Sequence, residues 1–235
     1  MSNQKLLILT KVYIFCFLVV FNSCERELPP PPEIEPPFTN SIVGYLDTPN
    51  AVLIKAFCLL SNDNTDGEAI SSSEIKNGNF TLLLPDTLDD KFLYISGESD
   101  EYVEISCPEA RCAYISYIEV YDSPRGAINN RIGQVFYGKY FEIINTLTEY
   151  YTHKVNIMFY YTDKDITVKG TRNNQGIVID IFDVSLKRGW NKVYREEMLE
   201  INWEAGGTYT WTTIVTSTKS ERYEGLEWYI WDGFL

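Results

Sequence analysis

Short apolar or alternating runs recur along the chain, separated by clusters of Asn, Asp, Gly and Pro, and none carries the i, i+3, i+4 spacing of an amphipathic helix. Strands are therefore predicted over Ser41–Leu46, Ala51–Leu60, Ala69–Ile75, Phe80–Leu84 and Phe92–Ser96, with Asn77-Gly78 as the hairpin turn before Phe80. In HKVNIMFYY, Val155, Ile157, Phe159 and Tyr161 fall on one face of a strand. Ile166–Thr171, Ile177–Leu186, Lys192–Met198, Thr208–Thr216 and Leu226–Trp231 continue the series, with Gly176, Gly189, Gly206-Gly207 and Gly225 at the breaks. The expected fold is all-β: one or two antiparallel, Greek-key-like β-sandwich domains, a small one over 40–106 and a larger one over 112–235. A half-open barrel is the second choice for the larger block. Whether the two blocks pack as one unit is left open at this level.

Before residue 40 the pattern changes. Lys5 and Lys11 precede an unbroken apolar stretch from Val12 to Phe21, and no acid occurs before Glu25. That stretch is too short to span a bilayer, which needs ~20 residues, and matches the apolar region of a signal peptide. Six prolines then lie between Pro29 and Pro37. They fix φ and remove amide donors, so the stretch reads as a disordered or polyproline spacer with a reach on the order of 40 Å.

Two resemblances attach to these segments. Phe21-Asn22-Ser23-Cys24 resembles the lipobox of bacterial lipoproteins, although Phe21 and Asn22 depart from its commonest form. The resemblance implies a signal peptide over 1–23, a lipid on the Cys24 sulfur and a tether over 24–39. Two or three acyl chains at ~0.8 kcal/mol per buried methylene anchor far more firmly than one. Further on, YYTDKDITVKGT, SLKRGWNKVY, GLEWYIWDG and GNFTLLLP resemble segments of Bacteroidota envelope lipoproteins of unknown function. This implies an outer-membrane location, periplasmic or surface-exposed, and carries over no functional residue. Asp86-Thr87-Leu88 resembles the short O-glycosylation sequence of such proteins.

Charge narrows the partners. Loss of residues 1–23 removes two lysines and no acid, taking the net charge from −13 to −15. Nucleic acid is thereby disfavoured, and the membrane is expected to be met through lipid rather than through basic residues. Cysteines are few. Four residues separate Cys107 from Cys112, a spacing that permits a disulfide without requiring one, while Cys58 reads as a buried thiol.

Catalytic chemistry has little to draw on. His153 is the only histidine, opens a strand and has no G-x-S-x-G partner in the chain. Asn62, Asn64, Asp66 and Gly67 copy the first half of a calcium loop, but position twelve is Ser73, so no metal and no cofactor is assigned. Asp163 and Asp165 could form a hydrolytic acid pair and sit in a turn that favours Asp for its own reasons. Among the aromatics, Trp228 is expected in the core, whereas Trp203, Tyr229 and Trp231 are the candidates for stacking on a ligand. The leading expectation is a non-catalytic binding module for a glycan, peptide or protein. A carboxylate-dependent carbohydrate-active enzyme and a structural subunit of a surface assembly are the alternatives.

Overall fold

The computed structural model describes residues 38–235 except 62, 98, 100, 146–148, 175–176, 204–206 and 232–235, and describes 63–66, 140–143, 145, 174, 222 and 231 by backbone alone. Residues 1–37, which hold the expected signal peptide, Cys24 and most of the expected tether, lie outside the described residues.

The strand with the clearest alternation is the centre of the fold. In β10 (Glu149–Thr162), Val155, Ile157, Phe159 and Tyr161 are buried on one face while their neighbours are half-exposed. It sits in a thirteen-stranded sheet. On one side follow β9 (Arg131–Asn145), β8 (Tyr117–Tyr121), β2 (Leu53–Leu60) and β3 (Asp63–Glu74). On the other side come β13 (Gly189–Asn202), β14 (Thr208–Thr216), β12 (Val178–Leu186), β11 (Ile166–Asn174) and β6 (Val103–Ile105). Off this path, β15 (Glu227–Trp231) pairs with β9, β7 (Arg111–Tyr114) with β10, and β5 (Tyr94–Ile95) with β7. All these pairings are antiparallel except β12 with β14, because β14 enters between β13 and β12 and so runs along the latter.

A second sheet of two strands, β1 (Ser41–Tyr45) and β4 (Asn79–Leu83), covers the β10 face. Ile42, Phe80 and Leu82 from it join Ile54, Val120, Val155, Ile157 and Tyr194 from the large sheet in one core. The result is an all-β sandwich of unequal layers. Trp190 links the layers, its indole N–H donating to the Pro85 carbonyl at 2.8 Å just beyond β4. Phe38, the first described residue, lies against Phe159 with ring centroids 5.5 Å apart. A smaller core, with Ile166, Val184, Leu186 and Val193, lies on the opposite face of the large sheet.

Segments 40–106 and 112–235 share this sheet. β2 pairs with β8, and β6 with β11, within the unit Pro37–Leu235. The Asn-Gly turn forms as read, with φ of 52° at Asn77 and 79° at Gly78, yet the strands that it joins belong to different sheets. Phe92–Ser96 differs from expectation. Asp90–Phe92 is a 3₁₀ turn whose Lys91 amide donates to the Asp89 side chain, and only Tyr94–Ile95 is strand. Among the described residues no helix is long and apolar enough to cross a membrane.

Candidate binding face

The register of the large sheet decides what its second face, away from the two-stranded layer, presents. Trp211 of β14 stands opposite Leu199 of β13 and Val178 of β12, and Tyr209 stands opposite Ile201. Side chains at paired positions of neighbouring strands share a face, whether the pair is antiparallel or, as for β12 and β14, parallel, so these residues form one patch. Trp211 is 41 % exposed and Tyr209 50 %, and Trp203, 53 % exposed, lies at the nearby β13–β14 turn. Exposed aromatic rings two residues apart on a strand give a flat, sequence-tolerant stacking surface.

Further along the same face the chemistry turns polar. Glu197, buried between strands, accepts from Lys154 at 2.8 Å and from Arg195 at 2.7 Å. Thr213 stands opposite Glu197, and Asn156 opposite Arg195. One buried carboxylate thus holds two cations in place, and Asp180 of β12, opposite Thr213, adds a second acid to the same face.

Two cavities flank the band. One, about 160 Å³, is lined by Val193, Val215, Ile166 and Phe182, with Tyr94 and Tyr160 beside them. Burial, with Tyr114 next to it, pushes the Tyr160 hydroxyl up to about 12, so it stays protonated and able to donate. The other, also about 160 Å³, occupies a fork in the sheet. Here β9 and β10 pair from Asn145 to Gly138 and then part; β9 turns to β8, and β10 turns to β7. Ile115 and Ser116, between β7 and β8, span the opening. Asn156, Met158 and Arg195 line it as well.

The structure separates the aromatic residues singled out in the sequence. Trp203 lies at the aromatic end, whereas Tyr229 is half-buried, stacked on Phe136 and donating its hydroxyl to Asn156 Oδ1 at 3.0 Å. Between the Glu149 and Asn156 positions of β10 this is roughly 24 Å at ~3.4 Å per residue. Trp231 ends β15 opposite Gln134, and its side chain lies outside the described residues. Trp228 packs on Tyr137 and Phe80 as a core residue. Tyr209 and Trp211 were not singled out; the TYTWTTIVT alternation marks two faces but not which of them meets water.

The remaining candidates divide in the same way. Cys107 and Cys112 are free thiols, so the disulfide that their spacing permits is not formed. Cys112 is buried in β7 with Thr162 Oγ1 at 3.7 Å, while Cys107 is half-exposed and hydrogen-bonded to Glu109. Asp163 accepts from the Arg111 amide at 2.8 Å and from Arg111 Nε at 2.9 Å. Asp165 accepts from Lys187 Nζ at 2.8 Å and from the Arg188 amide at 2.9 Å. Each acid therefore has a basic partner of its own. The side chains of Asn62, Asn64 and Asp66 lie outside the described residues. Among the described residues no three His, Cys, Asp or Glu side chains gather as a metal site. Thr87 is exposed.

No protein-family model, curated protein or solved structure matches the chain.

Proposed function

We propose that the chain is a lipid-anchored protein of a bacterial outer membrane, and that its ectodomain is a non-catalytic module which binds a glycan on the face of β14 and β13. The observation that supports this most is the exposed set Tyr209, Trp211 and Trp203 beside a band of fixed hydrogen-bonding groups. Sugar rings offer an apolar C–H face and a rim of hydroxyls, and aromatic planes with adjacent Arg, Lys and Asn side chains complement both. A carboxylate-dependent hydrolase would need two acids aimed at one cavity, and Asp163 and Asp165 each serve a separate ion pair.

The test is binding of the detergent-solubilised full chain to an array of immobilised oligosaccharides. Trp211→Ala and Tyr209→Ala should each weaken retention at least tenfold while leaving the melting temperature unchanged, because both rings are exposed. Wild-type protein that is retained by no oligosaccharide, or variants retained as well as wild type, would overturn the reading. The anchor is tested by Cys24→Ala, which should leave the membrane fraction and carry no acyl mass; unchanged fractionation refutes the lipid assignment.

A further inference from the structure

The fork between β9 and β10 has a donor set that the aromatic surface does not explain. Ser116 Oγ is buried and has no hydrogen-bond partner, and Ser116 lines the fork cavity. A buried hydroxyl without a partner loses its hydration for nothing in return, and native interiors rarely keep one. Asn156 lines the same cavity, and its Oδ1 already accepts from Tyr229, which leaves the amide nitrogen to donate elsewhere. Arg195 is the third polar wall. Its NH2 is hydrogen-bonded to Glu197, and its side chain remains 39 % exposed. Hydroxyl, carboxamide N–H and guanidinium are all donors, and together they fit one acceptor group that carries negative charge. A planar carboxylate suits a guanidinium best, since two N–H bonds can form side by side.

We infer that the fork is a carboxylate-reading subsite, and that the glycan of the proposed function, on which this inference rests, bears uronic acid residues. Trp211 and Arg195 lie on one face of the sheet, with Val215 of β14 opposite Arg195. Four residues along β14 separate the two, roughly 14 Å at ~3.4 Å per residue, so an oligosaccharide stacked at Trp211 can extend an acidic ring to the fork. The protein as a whole is strongly acidic, with a formal charge of −13, and this opposes an anion at long range. Salt at physiological strength screens such charges beyond ~8 Å, whereas contacts with Arg195 in the fork act within hydrogen-bond distance. Close contact prevails there.

The experiment is calorimetric titration of the full chain in detergent with galacturonate, glucuronate and mannuronate oligomers, each paired with its methyl ester. Esterification removes the charge and keeps the rings. At least one acid form should bind tenfold or more tightly than its ester. Arg195→Gln should equalise the two, and Arg195→Lys should fall between them. Ser116→Ala should weaken the acid form a few-fold and leave the ester unchanged, while the free variant melts no lower than wild type because its hydroxyl has no partner to lose. Equal binding of acid and ester, or binding of neutral oligosaccharides alone, overturns the subsite and leaves the glycan reading standing. Binding of a short peptide carboxylate where no uronate oligomer binds also overturns it. Binding of no oligosaccharide at all removes both readings together.

Discussion

His153 Nε2 and Glu196 Oε1 are hydrogen-bonded at 2.7 Å, and Glu196, 1 % exposed, lies at the edge of the main core. Its other oxygen accepts from the Tyr223 hydroxyl at 3.2 Å, and the Tyr223 ring stacks on Tyr194 with centroids 4.7 Å apart. The only histidine of the chain thus supports a buried carboxylate rather than a nucleophile. Removing either partner leaves the other short of a hydrogen bond in or beside the core, so Glu196→Ala and His153→Ala should each cost about 1–3 kcal/mol. Tyr223→Phe keeps the stack and should cost about 1 kcal/mol. Urea unfolding measures all three, and losses near zero for the first two would show that the pair holds nothing.

Gly44 on β1 faces the T-shaped contact between Phe80 and Trp228, whose ring centroids are 5.1 Å apart. A Cβ there would overlap the Phe80 ring and the Trp228 indole nitrogen. Gly44→Ala should therefore destabilise by about 1–3 kcal/mol through overpacking, and Trp228→Phe in the same chain should make the glycine change cheaper. Thermal melts of the two single variants and the double variant test this. Additive losses would place the overlap elsewhere.

The three described cysteines should react unequally. Burial pushes the Cys58 thiol up to about 12 and raises Cys112 as well. Cys107 is raised chiefly by its hydrogen bond to the Glu109 carboxylate, but it is half-exposed. Iodoacetamide at mildly alkaline pH should label Cys107 first and reach Cys58 and Cys112 only on unfolding, because the thiolate is the reactive form. Glu109→Gln should speed the first step. A tryptic fragment with Cys107 and Cys112 linked and two hydrogens short would contradict the free-thiol assignment.

Acid should loosen the end of the molecule where β7, β10 and β11 meet. Glu109 is held at about 2, against an ordinary 4.5, by its own backbone amide, by Cys107 and by Lys164. Asp165 is lowered by Lys187 and the Arg188 amide. At Asp163 burial works upward, but hydrogen bonds from Arg111 outweigh it and the net shift is downward from 3.8. Each carboxyl binds its proton less tightly in the folded chain, so the stabilisation is complete above the unfolded values and disappears as pH falls from about 4.5 towards 2. Lys164→Gln should raise the Glu109 value and move the acid transition, followed by tryptophan fluorescence, to higher pH. No movement would exclude Lys164 as a cause.

Much of the sheet was readable because one face of each strand is core. Val155, Ile157, Phe159 and Tyr161 alternate in β10 for that reason, and Asn77-Gly78 marks its turn because positive φ is easiest there. β6, β7, β8 and β9 were not predicted. β6 is three residues long, the β7–β8 run bends at Ile115-Ser116 where it crosses from β10 to β9, and β9 carries an irregularity where His153 and Lys154 pair with it. Each of these breaks the two-residue period on which the prediction rests. Phe92 is buried like a strand residue but lies in a 3₁₀ turn, since burial alone does not distinguish the two.

What the sequence determined by itself is local: the strand class, the positions of most turns, and the chemistry of the aromatic and charged side chains. Tertiary structure decided the rest. It placed β4 beside β1 rather than β3, joined the two sequence blocks through β2 and β8, and brought Ser116, Asn156 and Arg195 to one fork. Backbone amides and carbonyls are alike in every strand, so they cannot specify a partner. Partners and register are selected by which apolar faces can be buried together, and that depends on residues far apart in the chain.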